Sequence, residues 1–240
     1  MKKLLQSCLL LLMPLGVFAS AGMELESADI DLTDKASLEN GAHLYVQYCL
    51  GCHSTKYIRY LNLADDFDVE EQEILNKVAP EGAGIYDKML TAMNGHDAKK
   101  WFGTTPPDLS LIARSRGEDW LYSYLKGFYT DPKKPLGVNN AIFPDVGMPN
   151  PLWQLQGTQT PVYEEIDGQQ VITELELEEE GSMSAEEFDK SVNDIVNFLV
   201  YAGEPAQLER ESMGKYVLFF IFIFGVIAYL LKKEYWKDVH

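Results

Sequence analysis

Cysteine is scarce in this 240-residue sequence: three in all, at positions 8, 49 and 52. Cys8 falls in a leader-like N-terminal stretch, which leaves two thiols, three residues apart. A disulfide framework is not expected from such a count. A cysteine zinc site is disfavoured too, because zinc takes four ligands and only half a set is present. No βαβ pattern surrounds the pair, as a thioredoxin-like redox site would need. Histidine is nearly as rare, at four residues, so candidates for metal ligation are few. Positive charge is missing from a whole region: no Lys or Arg occurs from Pro135 to Asp189. With a net charge of -17, the chain is a poor candidate for nucleic-acid binding. No internal repeat is visible.

What is present is decided by one run, Cys49-Leu50-Gly51-Cys52-His53. C-x-x-C-H is the attachment signature of a c-type haem. The two thiols add to the haem vinyl groups as thioethers, and His53 presents its imidazole to the iron as the proximal ligand. One covalently attached haem c is the expected cofactor. An iron held in this way usually moves single electrons.

Both ends of the chain carry membrane-related signals. Residues 1–21 read as a signal peptide: Lys2 and Lys3, an apolar run from Leu4 to Phe18, then Ala19-Ser20-Ala21 as a small-residue cleavage site. The leader has no Arg and is short, unlike a transit peptide, so a bacterial source with a periplasmic domain is expected. Tyr216 to Leu231 is a stretch of sixteen residues without a charge. Taken alone that is borderline for a membrane span, which needs about 20 apolar residues. Met213 and Gly214 extend it, and Tyr216, Tyr229, Tyr235 and Trp236 sit where an aromatic belt would. The expected division is a signal peptide at 1–21, a periplasmic haem domain at 22–205, a linker at 206–215, a transmembrane anchor at 216–231 and a cytoplasmic tail at 232–240. The anchor crosses the bacterial inner membrane once.

The haem domain reads as mostly α, with long loops and a small β arm. Leu38, Ala42, Tyr45 and Cys49 fall on one stripe of a helix leading into the haem motif. Ser184 to Glu187 form a capping box that opens a second helix. Its Phe188, Val192, Ile195, Leu199 and Ala202 share a face, and Gly203 and Pro205 stop it. Trp120 to Phe128 is a third helix, with Trp120, Tyr124 and Phe128 in register. The stretch 131–163, rich in proline, is expected to be loop. Residues 170–177 alternate apolar and polar and suggest a hairpin or arm. Around it gather ten carboxylates between Glu164 and Glu187. These are either a solvated face or a negative field that steers a basic partner to the haem edge.

The sixth iron ligand has a short list of candidates. His43 precedes the motif on the same helix and cannot reach the other haem face. His240 lies across the membrane. His96 sits in a polar turn, and Met89 and Met93 read as core. Met148, in Phe143-Pro-Asp-Val-Gly-Met148-Pro-Asn-Pro, stands between Gly147 and Pro149 in a loop able to present sulfur. Met148 is the preferred ligand, with His96 next. A thioether paired with imidazole raises the reduction potential.

Pro106-Pro107-Asp108-Leu109-Ser110, followed by Arg114-Ser115-Arg116-Gly117-Glu118-Asp119-Trp120, resembles the PPDLS…R-x-R…ED segment of the cytochrome c1 family. The order of C-x-x-C-H, PPDLS–RxR, the G-M-P loop, acidic insert, capped helix and single C-terminal span extends the likeness over nearly the whole chain. The family supplies the haem-c subunit of the ubiquinol–cytochrome c reductase, the bc1 complex. The resemblance implies that Met148 is the distal ligand, that Arg116 approaches a haem propionate and that Pro107 belongs to the cofactor-binding set. A guanidinium matches a carboxylate through paired donors. Trp120 stands where the family often has Tyr, and the loop from Arg116 to Glu118 is short. It also implies that the two main helices cross to close the haem crevice. The implied partners are cytochrome b and the Rieske iron–sulfur protein, a basic cytochrome c as acceptor, and the membrane, in a dimeric complex. The protein would carry single electrons and have no catalytic residues of its own. The competing classes are a haem enzyme or sensor with an open sixth position, and a stand-alone anchored electron carrier.

Overall fold

Two helices far apart in sequence supply the frame, and one glycine lets them meet. The computed structural model describes residues 23–166 and 168–238; the expected signal peptide, Cys8 and His240 lie outside the described residues. Helix α1, Lys35–Tyr48, starts where the Asp34 carboxylate accepts from the Ser37 amide, capping one of the free N–H groups of its first turn. The capping box at Ser184 opens the long helix that ends at Gly203, so that signal is borne out. Gly41 is required where these helices cross, since a Cβ there would lie 1.9 Å from the Asp194 carbonyl oxygen. The buried Asp194 carboxylate fastens the crossing: it accepts from Ser37 Oγ at 2.6 Å and Asn40 Nδ2 at 2.7 Å. Tyr45 and Phe198 pack beside it with ring centroids 5.3 Å apart.

The remaining elements wrap this pair. Strand β1, Thr55–Arg59, leaves the haem motif and pairs antiparallel with β2, Lys88–Met89. Between them lie α2, Tyr60–Phe67, and α3, Glu71–Val78, which bury Leu63, Phe67, Ile74 and Val78. Helix α4, Gly95–Phe102, is followed by α5, Ile112–Arg116, and α6, Glu118–Lys126, which meet at Gly117 with φ +90°. The expected helix from Trp120 to Phe128 therefore ends early. Gly127 interrupts it, and Phe128 belongs to β3, Phe128–Thr130, paired with β4, Val138–Asn140. The aromatic register survives, because Phe128 still packs edge-on against Tyr124 at 5.3 Å.

The stretch expected to be all loop also contains α7, Trp153–Gln156, and the first strand of a hairpin. That hairpin pairs β5, Gly157–Ile166, with β6, Gln169–Glu180, and is longer than the arm suggested by 170–177. Pro161 lies within β5, which is possible in a two-stranded ribbon because its outward side needs no N–H. The base of the arm is held: Gln159 Nε2 donates to the carbonyls of Lys126 at 2.9 Å and Phe128 at 2.8 Å. Its outer half is exposed, and the carboxylates along the arm face neutral residues across the ladder: Glu174 opposes Val162 and, nearer the base, Glu176 opposes Thr160 and Glu179 opposes Thr158. Like charges are thus kept from direct opposition, where they would destabilise the pair.

The second helix of the crossing is α8, Ala185–Gly203, and α9 is Gln207–Tyr235. The segment expected as a linker, 206–215, is largely helical and continuous with the apolar run. The helix is 29 residues long, with no buried residue, and is long and apolar enough to cross a membrane. At about 1.5 Å per residue it exceeds the roughly 30 Å of a bilayer core. Glu204 ties its start to the haem domain by accepting from Arg114 at 2.9 Å and Arg210 at 2.5 Å.

Candidate haem site

Helix α1 ends where the haem motif begins. The amides of Cys49 and Leu50 close onto the Tyr45 carbonyl, and the His53 amide onto the Cys49 carbonyl, so the five residues form a compact turn. Tyr45 Oη donates to the His53 carbonyl at 2.6 Å and secures that turn from inside the core. Both thiols are free; Cys49 is buried and Cys52 half-buried. Burial, and then the neighbouring Cys52, push the Cys49 thiol up to about 12, so it is held neutral.

His53 is buried, 8% exposed, and its Nδ1 lies 2.8 Å from the Pro107 carbonyl oxygen. A carbonyl can only accept, so Nδ1 carries the proton and Nε2 keeps its lone pair. Burial lowers the His53 pKa, and the bond to Pro107 offsets only part of that. A neutral imidazole with one nitrogen tethered and the other free is the state an iron ligand needs. The segment supplying Pro107 is itself laced to the motif: the Leu109 amide donates to the Ser54 carbonyl at 2.8 Å. From the other side, Thr91 Oγ1 donates to the Gly51 carbonyl at 2.8 Å.

Met148 belongs to a second group of side chains. It is half-buried, and Tyr124 Oη donates to its sulfur at 3.2 Å. Tyr124 stacks on Trp120 with centroids 4.9 Å apart and planes 9° from parallel. The Arg116 guanidinium carbon lies 5.0 Å from the Trp120 ring and 5.9 Å from that of Phe143. Arg116 is exposed, so it remains accessible to a carboxylate partner. Arg114 is exposed and paired with Glu204.

The alternative ligands sit elsewhere. His96 is exposed in the first turn of α4. His43 is exposed, and its ring donates to the Lys77 carbonyl at 2.7 Å. Met89 is fully buried in the apolar core, and Met93 is half-buried with its amide donating to Thr91 Oγ1.

Sequence reasoning missed the residues that hold the Met148 loop. Asn140 Nδ2 donates to the Tyr124 carbonyl at 2.8 Å, while its Oδ1 accepts from the amides of Ile142 at 2.9 Å and Phe143 at 3.0 Å. Asn139 Oδ1 accepts from the Asp145 amide at 2.8 Å. Adjacent Asn residues just ahead of a proline loop were the available signal, since their side chains substitute for backbone partners in turns.

Two free thiols beside a histidine with an unengaged ring nitrogen form the donor set of a c-type cytochrome. Comparison with known proteins agrees. Residues 27–239 match the cytochrome C1 family. The chain is 51% identical to a protein named cytochrome c1 from Allochromatium vinosum, over 100% of both chains. It is 45% identical to an ammonia monooxygenase gamma subunit from Nitrosomonas europaea, over 92% of each chain. It is 29% identical to a mitochondrial cytochrome c1 haem protein from Schizosaccharomyces pombe, over 86% of this chain and 68% of that one. The chain belongs to the cytochrome c1 family, the membrane-anchored haem c proteins of bc1-type electron transport. Haem c is its cofactor, and the residues around Cys49, Cys52 and His53 fit it.

Proposed function

We propose that this protein carries single electrons from a Rieske iron–sulfur protein to a cytochrome c, as a subunit of a dimeric complex with cytochrome b. The observation that carries this reading is the His53 imidazole, fixed through Nδ1 by Pro107 and left free at Nε2 beside two unpaired thiols. Cys49 and Cys52 hold the haem by thioether links. His53 and Met148 are the residues that would hold the iron, and Arg116 would pair with a propionate. Haem c supplies a reversible one-electron centre. The chain's own residues orient the ligands, exclude water and set the field around it. With Met148 on the iron no sixth position stays open, which disfavours a haem enzyme or ligand sensor. The haem domain lies on the periplasmic face of the bacterial inner membrane, with α9 as its single anchor.

The test is mild solubilisation of native membranes and isolation through this chain. The account expects a b-type haem and a Rieske cluster in the same assembly, and a reduced c haem that does not bind carbon monoxide. A chain that purifies alone is a stand-alone carrier, and one that binds carbon monoxide has an open iron.

A further inference from the structure

We infer that Tyr124 is a positioning residue for the distal sulfur: its hydroxyl, donated to Met148, holds the thioether in place and raises the reduction potential of the haem. The inference rests on the reading of Met148 as an iron ligand. Tyr124 Oη has one hydrogen-bond partner in the described structure, the Met148 sulfur at 3.2 Å. A ring kept only for packing would not need to spend its hydroxyl on so weak an acceptor.

The surroundings leave that hydroxyl little freedom. The ring is stacked on Trp120 at 4.9 Å and meets the Phe128 edge at 5.3 Å. The Tyr124 carbonyl accepts from Asn140, whose other side-chain atom accepts from Ile142 and Phe143 in the Met148 loop. Tyrosine and loop are therefore locked together through backbone at one end and through the sulfur at the other. Helix α6 aims the phenol, and the asparagine aims the loop.

A thioether sulfur carries two lone pairs. One can bind iron while the other accepts the phenol proton. The hydrogen bond draws electron density from the sulfur and makes it a poorer donor to ferric iron. Ferric iron depends on that donation more than ferrous iron does, so the reduced state is favoured. Partners of this kind, one step removed from the metal, tune both ligand orientation and potential.

The experiment uses the full chain with its haem attached. Tyr124→Phe keeps the ring and removes only the hydroxyl, and covalent haem with a normal Soret band reports that the variant is folded. The expected result is a lower midpoint potential, equivalent to about a fivefold shift toward the ferric form at a fixed electrode potential. In a Met148→Leu background the same change should leave the potential where that variant puts it. An unmoved or raised potential in Tyr124→Phe overturns the inference. So does an equal fall in the Met148→Leu background, because the hydroxyl would then act through something other than the sulfur. If Met148→Leu itself keeps the methionine–iron charge-transfer band, the ligand reading has failed and this inference fails with it. A lost band together with an unmoved Tyr124→Phe potential removes the Tyr124 role alone.

Discussion

The His53 side and the Met148 side of the site are built in different ways. On the His53 side the proposed ligand, both thiols and the turn that holds them are contiguous, and the turn continues a buried helix. Two of its outside tethers are main-chain groups, the Pro107 carbonyl and the Leu109 amide. On the Met148 side the sulfur stands on a proline loop held by side chains, Tyr124, Asn139 and Asn140. A contiguous, backbone-built half tolerates loss of any one side chain other than its ligands. A half assembled from distant side chains can be loosened by a single deletion.

That contrast yields graded expectations. The largest effect belongs to the thiols: replacing Cys49 and Cys52 together with Ser abolishes covalent haem, seen as loss of haem stain after denaturing electrophoresis. Haem that resists acid–acetone extraction from that double variant would break the assignment of the motif. Next comes Gly41→Ala, which drives a methyl into the Asp194 carbonyl where α1 and α8 cross. It should cost about 3 kcal/mol, at the upper end for overpacking, with a matching fall in Tm. A neutral result would mean that the crossing does not brace the His53 side.

Asn140→Ala tests the other half. It removes one donor and one acceptor serving three hydrogen bonds, and should cost about 2 kcal/mol. The methionine–iron band should fade at a lower temperature than in wild type, while the haem stays attached. If the band persists to the wild-type temperature, the loop is held by something else. The smallest effect is expected on the acidic arm. The carboxylates of its return strand near the base are exposed, so they act through a screened field that reaches about 8 Å at physiological salt. Changing Glu176, Glu178, Glu179 and Glu180 to Gln should slow electron transfer to a basic cytochrome c at low salt and flatten its salt dependence. Retained salt dependence with a dissociated complex would instead make the arm an assembly element.

The same contrast explains what could be read from sequence. The two crossing helices announced themselves because their signals are local: apolar spacing before Cys49 and a capping box at Ser184. The spacing of Trp120, Tyr124 and Phe128 misplaced a helix end. Phe128 keeps its packing on Tyr124 from a strand, so the pattern is satisfied by either backbone. Prolines between 131 and 163 hid the start of the hairpin, because Pro161 is tolerated on an outward strand edge. The asparagine latches were invisible, since their partners are set by how β4 meets α6 and not by neighbours in the chain.

The most direct test of the central claim is the ferric spectrum of three proteins: wild type, Met148→Leu and His96→Ala. The account predicts the weak methionine–iron charge-transfer band near the red edge of the visible spectrum in wild type and in His96→Ala. It predicts no such band in Met148→Leu, whose reduced form should bind carbon monoxide. An unchanged Met148→Leu spectrum, with the loss appearing in His96→Ala, would contradict it and give the distal position to His96.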